Sequence, residues 1–339
     1  MTRSKWFVGL AGLAALGAAA PGPAMAWGST GHRLIGRLAE GALPADVPAF
    51  LRTPAAVQAM GELSREPDRW KGAGKAHDND LDPGHFLDLS DDGTVLNGPS
   101  LASLPATRAE YETLLRAAGT DTWHAGYLPY SIVEGWQQLG RDFAYWRIDT
   151  AAARTATDPA RKAWYEADAA RREQLTLRDL GTLSHYVGDG SQPLHVSVHF
   201  NGWGPFANPN GYTQDKAHGP FEGAFVRNFV SPDAVKAAMP AMTDCACPVE
   251  RRTADYLATT AKTVVPFYEL YKAGGFGPGD TRGVAFATAR LAAGAAELRD
   301  LTVLAWRASA TAEVGYPAVK VADVEAGKAD PWDALLGTD

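Results

Sequence analysis

Apolar residues recur every three or four positions along most of this chain, a spacing that places them on one face of an α-helix. The pattern is clear in the segments HRLIGRLAEGAL, PAAVQAMGELS, TRAEYETLLRAAG, LPYSIVEGWQQLGRDFAYWR, DPARKAWYEADAARREQLTLRDLGTLSHYVGD, VERRTADYLATTAKTVVPFYELYKAG and TRGVAFATARLAAGAAELRDLTVLAWRAS. Alternating runs joined by hairpin turns, which indicate β-strands, are nearly absent. The pattern therefore predicts a mainly α fold, a single-domain bundle of many helices with long loops.

The first 26 residues have the pattern of a secretory leader. Positive charge near the start is followed by an uncharged run over 6–20 and by the small-x-small sequence Ala24-Met25-Ala26. An uncleaved anchor is the alternative, but the run is shorter than the about 20 residues that a membrane helix needs. We expect cleavage before Trp27, a secreted or periplasmic protein, and no stable membrane insertion afterwards.

Three further segments depart from the helical pattern. Loops are predicted over 72–97, which is rich in Asp and Gly, and over 193–219. Loops of this length commonly carry function, and both border histidines. The polar segment 321–339 is expected to pack loosely against a domain that spans 27–320.

Net charge and cysteine spacing limit the kinds of ligand and metal site that the chain can have. The formal net charge is −7, so the chain does not bind polyanions by general attraction. A phosphodiester substrate would have to be attracted locally, with bound cations as the obvious source. Cys245 and Cys247 match no zinc-type spacing, and a bridge between them is compatible with an oxidising compartment. We interpret the pair as peripheral.

Histidines and carboxylates recur at spacings that would rarely arise by chance. In LSHYVGDGSQPLH, His185 and Asp189 lie four residues apart, so a helix places them on one face. Gly188, Gly190 and Pro193 are expected to end that helix, so that His195 approaches again after a turn. The segment AHGPFEGAF repeats the four-residue spacing. The candidate ligands are His32, Asp68, His85, His185, Asp189, His195, His218 and Glu222.

Imidazoles and carboxylates without thiolates suit zinc in a catalytic site, where one position stays open for water. At about three or four protein ligands for each ion, the candidates would hold two or three ions. Cleavage before Trp27 would add a ligand, because a free α-amine and its own carbonyl oxygen form a five-membered chelate. The alternatives are a buried anchor for Trp27 and core packing for a lone histidine such as His185.

The ordered motifs WGSTGH, PDRW, HFLD, SHYVGDGSQPLH and HGPFE resemble those of the superfamily of zinc-dependent phospholipases C and single-strand nucleases. They are most similar to nucleases of the S-one and P-one type. The resemblance implies a mainly α-helical domain with three zinc ions at the bottom of a cleft. The implied ligands are Asp68, His85, His185 and Asp189 for the first ion. The second ion would be held by the Trp27 amine and carbonyl, His32 and the shared Asp189. The third would be held by His195, His218 and Glu222.

The resemblance also implies hydrolysis of single-stranded DNA and RNA to give 5′-phosphates, with 3′-nucleotidase activity as a further expectation. Asp189 would hold two ions around the attacking water, Asp68 would orient that water, and Lys71 would supply positive charge at the phosphate. Phe86 would stack on a nucleobase, a contact that contributes about 1–3 kcal/mol per base. Asp88 would accept hydrogen bonds from base edges.

Departures from the nuclease pattern keep alternatives open. The nucleases have Gly-Gly-Asn after Gln-Pro-Leu-His, where this chain has VSVHFNGWG. Glu222 stands where the nucleases usually have aspartate, and glutamate at this position resembles the phospholipase branch. Lys71 stands where the nucleases have an arginine, and lysine supplies positive charge without a bidentate fork. The alternatives are a phospholipase C that releases a phosphorylated headgroup and a non-catalytic zinc-binding protein. Core packing of Phe86 and a surface position of Lys71 also stay open, and we expect a monomer.

Overall fold

A computed structural model describes residues 27–337, and the predicted leader 1–26 lies outside the described residues. Its α-helices are α1 (Ser29–Gly41), α2 (Pro54–Leu63), α3 (Glu66–Arg69), α4 (Lys75–Leu81), α5 (Arg108–Ala117), α6 (Thr122–Ala125), α7 (Leu128–Thr155), α8 (Pro159–Ser191), α9 (Val226–Phe229), α10 (Pro232–Ala238), α11 (Val249–Ala261), α12 (Val264–Lys272), α13 (Thr281–Ser309), α14 (Val321–Glu325) and α15 (Trp332–Leu336). The prediction of a mainly α fold is confirmed.

Short elements complete the chain. They are 3₁₀-helices at Ala49–Arg52, Asp82–His85, Leu101–Ser103 and Pro193–His195, a π-helix at Pro220–Phe225, and the strands β1 (Glu313–Val314) and β2 (Val319–Lys320). The strands pair antiparallel, with Val314 opposite Val319. This hairpin is the one named sheet within 27–337.

The long helices α7 and α8 form the central pair of the fold. The link between them spans only 156–158, so the two helices run antiparallel as neighbours. Asp158 caps α8, because its carboxylate accepts hydrogen bonds from the backbone nitrogens of Ala160 and Arg161. Helix α13 packs against both helices of this pair, and α1 packs against α8 and α13. The end of α8 thus lies at the centre of the molecule.

The C-terminal end of α8 is enclosed on all sides. Every residue from Leu183 to Ser191 is buried. As expected from Pro193, α8 ends at Ser191, two residues before that proline. The expectation is wrong for Gly188 and Gly190, because α8 continues through both. Their role is close packing: a Cβ at Gly188 would lie 3.0 Å from His32 Nδ1, and one at Gly190 would lie 2.8 Å from the ring of Tyr256.

The two predicted loops, 72–97 and 193–219, differ in how much regular secondary structure they contain. Segment 72–97 contains α4 and a 3₁₀-helix that ends at His85, so it holds more structure than its Asp- and Gly-rich composition indicates. Segment 196–217 has turns and one isolated bridge between Phe200 and Gly202. The first segment therefore presents His85 from a defined element.

The segment after Val321 packs closely, in contrast to the loose packing expected from its polar sequence. Val321 and Val324 are buried with Ile148 of α7 in a small cluster beside the main core. Trp332 packs on Trp164, with ring centroids 5.5 Å apart. A few apolar residues thus fix this segment to the α7–α8 pair.

Two smaller expectations concern the cysteines and the membrane. Cys245 and Cys247 form a disulfide between α10 and α11, with their Cα atoms 5.1 Å apart.

No helix within residues 27–337 is both long enough and apolar enough to cross a membrane.

Two pairs of carboxyl groups are buried where α7 packs on α8. Asp142 and Asp149 of α7 face Asp179 and Asp168 of α8, and all four residues are at most 9% exposed. Two carboxyl groups share a hydrogen bond only when one of them is protonated. Burial, reinforced by the facing carboxylate, accordingly raises the pKa of Asp142 to about 7 and that of Asp149 to about 8.

We expect Asp149→Asn to raise the melting temperature more at pH 8 than at pH 5.5. The folded state retains a proton on Asp149 that the unfolded state loses above its ordinary pKa, so stability falls as the pH rises towards about 8. An amide removes that loss, and each 1 kcal/mol corresponds to about 2–4 °C in a large domain. Differential scanning fluorimetry in EDTA at both pH values measures the shift.

The matched control is Asp46→Asn, whose side chain is about half exposed. An equal gain at both pH values for Asp149→Asn, or the same pH-dependent gain for the control, would contradict the assignment.

Candidate metal centre

Four elements bring histidines and carboxylates together around the end of α8. His185 and Asp189 lie one turn apart on α8, and both are fully buried. Helix α1 contributes His32, whose ring stacks on that of His185 with centroids 3.9 Å apart. His85 ends a 3₁₀-helix, and α3 contributes Asp68. Residues distant in sequence therefore converge on one buried volume.

The two oxygens of Asp189 face different histidines. Oδ1 lies 3.4 Å from His32 Nε2, whereas Oδ2 lies 3.1 Å from His85 Nδ1 and 3.4 Å from His185 Nε2. Two groups of ligand atoms result, each with all its atoms within 4.8 Å of one another. One contains His32, His185 and Asp189, and the other contains Asp68, His85 and His185. Asp189 thus connects the two groups, and His185 belongs to both.

A third group consists of His195, His218 and Glu222. Glu222 Oε2 lies 2.8 Å from His218 Nε2 and 3.9 Å from His195 Nε2. Glu222 belongs to the π-helix Pro220–Phe225, and His218 precedes that helix. The four-residue spacing in the sequence therefore does bring this pair into contact, although the local helix is wider than an α-helix.

The donor atoms in these groups fit a cation. The buried ligand atoms without a hydrogen bond, among the described residues, include Nε2 of His32, His195 and His218, Oδ1 of Asp189 and Oε1 of Glu222. In addition, His185 Nε2 lies 2.9 Å from His85 Nδ1. Two lone pairs at that distance repel unless a proton or a cation lies near both. A buried polar atom without a partner costs about 1–3 kcal/mol, so a ligand that satisfies several of them at once is strongly favoured.

The electrostatics of the site point the same way. Burial lowers the pKa of His32 and His85 well below the ordinary value and lowers that of His185 to about 4. The imidazoles are therefore neutral, which is the form that binds metals. Burial, together with the nearby Asp68, raises the pKa of Asp189 well above its ordinary value. A bound cation would supply the charge that keeps this carboxylate ionised.

Backbone carbonyls orient the ligand rings. His185 Nδ1 lies 2.9 Å from the Ser64 carbonyl oxygen, and His195 Nδ1 lies 2.7 Å from the His85 carbonyl oxygen. Each Nδ1–H donates to its carbonyl, which leaves Nε2 as the free ligand atom. Gln192 Nε2 also donates to Glu222 Oε2 at 3.3 Å. These supports were missed in the sequence, where a carbonyl acceptor leaves no residue signal and Gln192 stood unremarked within its motif.

Trp27 is fully buried next to these groups. Its indole Nε1 donates to Ser191 Oγ at 2.8 Å, and its ring packs on Phe221 with centroids 5.4 Å apart. Both contacts lie next to ligand positions, since Ser191 follows Asp189 by two residues and Phe221 precedes Glu222. The side chain therefore behaves as a buried anchor. Ligation by its amine stays a prediction, because residue 26 lies outside the described part of the chain.

The side of the cluster at Asp68 is the one closest to solvent. The Asp68 side chain is 10% exposed, and Lys71 Nζ lies 2.8 Å from its Oδ1. Phe86 and Asp88 follow His85 and are half-buried. Burial raises the pKa of Asp88 to about 7. Phe86 is thus not enclosed as a core residue, and Lys71 is not a free surface charge.

The remaining buried histidine, His199, belongs to none of the three groups. Its Nε2 lies 3.1 Å from Asp91 Oδ1, its Nδ1 lies 2.7 Å from the Trp203 carbonyl oxygen, and its ring stacks on that of Trp203. The Asp91 partner is 108 residues away, so sequence spacing gave no indication of it. Two of these three contacts are with its own loop, so His199 organises segment 196–217.

The chain matches no known protein-family model, and no curated protein matches it.

We expect the zinc-loaded protein to contain three zinc ions per chain and Glu222→Gln to contain about one fewer. A neutral amide cannot replace the buried carboxylate that joins His195 and His218, whereas the two groups joined by Asp189 keep their ligands. Elemental analysis of the purified proteins measures the content.

Glu269→Gln, at an exposed position on α12, is the control and should retain all three ions. Three ions in Glu222→Gln, or fewer than two in the wild type, would contradict the assignment.

Proposed function

We propose that this chain is a secreted or periplasmic zinc-dependent phosphodiesterase that cleaves single-stranded DNA and RNA and leaves 5′-phosphates. We further propose 3′-nucleotidase activity and a cofactor of three zinc ions. The single observation that carries the proposal is the connection of two ligand groups through Asp189, with a third group formed by His195, His218 and Glu222.

The ligand sets fit zinc in number and in chemistry. They contain imidazole nitrogens and carboxylate oxygens, which suit a catalytic zinc ion. Asp68, His85 and His185 would hold one ion, and His32 with the Trp27 amine and carbonyl would hold a second. Asp189 would contribute one oxygen to each of these two, and His195, His218 and Glu222 would hold the third. Zinc ions bound there would supply Lewis acidity at a phosphoryl group and make water more acidic.

Residues at the open side would bind and orient the substrate. The Lys71 ammonium group lies against Asp68, so it is held where it would attract a phosphate, and Asp68 keeps a second oxygen to orient a water molecule. The half-buried ring of Phe86 would stack on a nucleobase. Asp88, with its pKa of about 7, would accept a hydrogen bond from a base edge when ionised and donate one when protonated. A base paired in a duplex has its faces covered, which would account for a single-strand preference.

The proposed location is supported by the leader pattern of 1–26 and by the disulfide between Cys245 and Cys247. Disulfides persist in oxidising compartments such as the periplasm and the extracellular space.

We expect the zinc-loaded protein to digest heat-denatured DNA faster than duplex DNA and to release phosphate from 3′-AMP, and we expect Asp189→Asn to abolish both activities. Loss of the connecting carboxylate should lower kcat by about a thousandfold, equivalent to about 4 kcal/mol in the transition state. Gel assays and phosphate release give the rates.

Asp179→Asn is the control, because Asp179 is another buried carboxyl on α8 at about 15 Å from Asp189 along the helix axis. Near-normal turnover by Asp189→Asn would refute the shared-ligand assignment. Hydrolysis of phosphatidylcholine with no action on DNA would identify a phospholipase C. Zinc-dependent stability with no hydrolysis of either substrate would identify a non-catalytic zinc protein.

We expect one additional residue before Trp27 to reduce activity on denatured DNA at least about tenfold, because the amine that would ligate zinc becomes an amide. The protein that starts at Trp27 and the same protein with a preceding, unprocessed Met are compared for rate and zinc content. Equal rates and equal zinc content in the two proteins would show that the amine is not a ligand.

A further inference from the structure

Three arginines converge on one exposed carboxylate at the junction of α1 and α2. Arg33 Nε lies 2.7 Å from Glu62 Oε1, Arg65 Nη1 lies 3.0 Å from Glu62 Oε2, and Arg37 Nη2 lies 3.6 Å from Glu62 Oε1. We call Arg33, Arg37, Arg65 and Glu62 the arginine patch. One carboxylate cannot neutralise three guanidinium groups, so the patch carries an excess of positive charge.

The arginine patch is accessible to a ligand. The side chains of Arg33, Arg37 and Arg65 are 31%, 35% and 26% exposed. Ion pairs at such exposure contribute little, with a median of about 0–1 kcal/mol, so a phosphate group could compete with Glu62 for these donors. Each guanidinium presents five N–H groups, and Glu62 engages only some of them.

The positive charge of the arginine patch lowers the pKa of the carboxyl group at its centre. Hydrogen bonds from Arg33 and Arg65 and their charges lower the pKa of Glu62 to about 2. The next ion pair along the chain, Arg69 with Glu66, is neutral overall and does not offset the excess. An overall acidic chain therefore has a local cationic surface here.

This surface adjoins the candidate metal centre. Arg33 follows the ligand His32 on α1, and Arg65 follows Ser64, whose carbonyl oxygen accepts from His185 and whose hydroxyl donates to the His32 carbonyl oxygen at 3.0 Å. Helix α3 follows Arg65 and carries the metal-facing Asp68, and Trp70, directly after α3, is 38% exposed.

We propose that the arginine patch binds backbone phosphates of a single-stranded nucleic acid outside the bond that is cleaved, so that it extends the substrate site along the strand. This inference rests on the proposed function and deepens it. Arginines that track a phosphate backbone next to an exposed aromatic ring are the combination that single-strand binding proteins use.

A nucleic acid fits this surface better than a membrane. Among the described residues, the exposed large apolar side chains include none on α1 or α2. Helices that bind membranes insert apolar side chains on the side opposite their charges, whereas the arginine patch offers three guanidinium groups and one carboxylate.

The test compares substrates of different length in the zinc-loaded protein. KM and kcat are measured for a single-stranded 20-nucleotide DNA and for a dinucleotide, at low and at moderate salt. The variants are Arg33→Gln/Arg65→Gln, Glu62→Gln and the control Arg161→Gln. Arg161 is an exposed arginine in an ion pair with Asp330, about 36 Å from His185 along α8.

We expect the double variant to raise the ratio of KM for the 20-nucleotide DNA to KM for the dinucleotide about tenfold at low salt. The salt dependence of its KM for the long substrate should fall by about 0.7 log units per tenfold salt for each phosphate that the variant no longer neutralises. Glu62→Gln should move the same ratio in the opposite direction, because it frees donors and adds positive charge. A merely structural role would weaken binding in both variants. Arg161→Gln should keep the wild-type ratio.

An unchanged ratio in the double variant, or a higher ratio in Glu62→Gln, would overturn the inference while leaving the proposed function intact. If the wild type cleaves neither substrate, the proposed function is wrong, and fluorescence anisotropy of a labelled 20-nucleotide DNA then tests the arginine patch directly. In that measurement, weaker affinity in the double variant supports the arginine patch, and equal affinity refutes it. Patch-dependent binding to phosphatidylserine vesicles without patch-dependent binding to DNA would refute it as well.

Discussion

The site depends on one buried carboxylate. Asp189 has no solvent exposure, and the ring nitrogens of three histidines lie 3.1–3.4 Å from its oxygens. An ionised carboxylate in such surroundings is very unfavourable. Its Oδ2 is within hydrogen-bond distance of His85 Nδ1, whereas its Oδ1 has no hydrogen-bond partner. The surrounding helices nevertheless hold all four groups in place. Their packing holds these groups in an arrangement that additional positive charge would stabilise, which is the physical reason to regard it as a cation site.

The sequence predicted those parts of the molecule that depend on local periodicity. The three-four pattern indicates the long helices α7, α8 and α13, and the four-residue spacing of His185 and Asp189 fixes their common face on α8. It did not predict contacts that depend on tertiary packing. Gly188 resembles a helix terminator locally, but it is a packing residue because the His32 ring occupies the space next to it.

Hydrogen-bond partners distant in the sequence were not predicted either, because these contacts also depend on tertiary packing. Ser64 supports His185 through its carbonyl oxygen, an atom that every residue has, and Asp91 meets His199 only because two distant segments lie side by side. The packing of the last residues was underestimated because only a few apolar side chains, such as Val321, anchor an otherwise polar segment. Composition averages over a segment, whereas a few well-placed side chains determine whether it docks.

The buried position of Trp27 has a consequence for the biogenesis of the protein. Its indole lies inside the fold, bonded to Ser191 and packed on Phe221, immediately after the predicted processing point. These contacts would have to break before the bond preceding Trp27 could be held in an extended conformation for cutting. In the proposed secreted protein, removal of the leader would therefore come before docking of the indole.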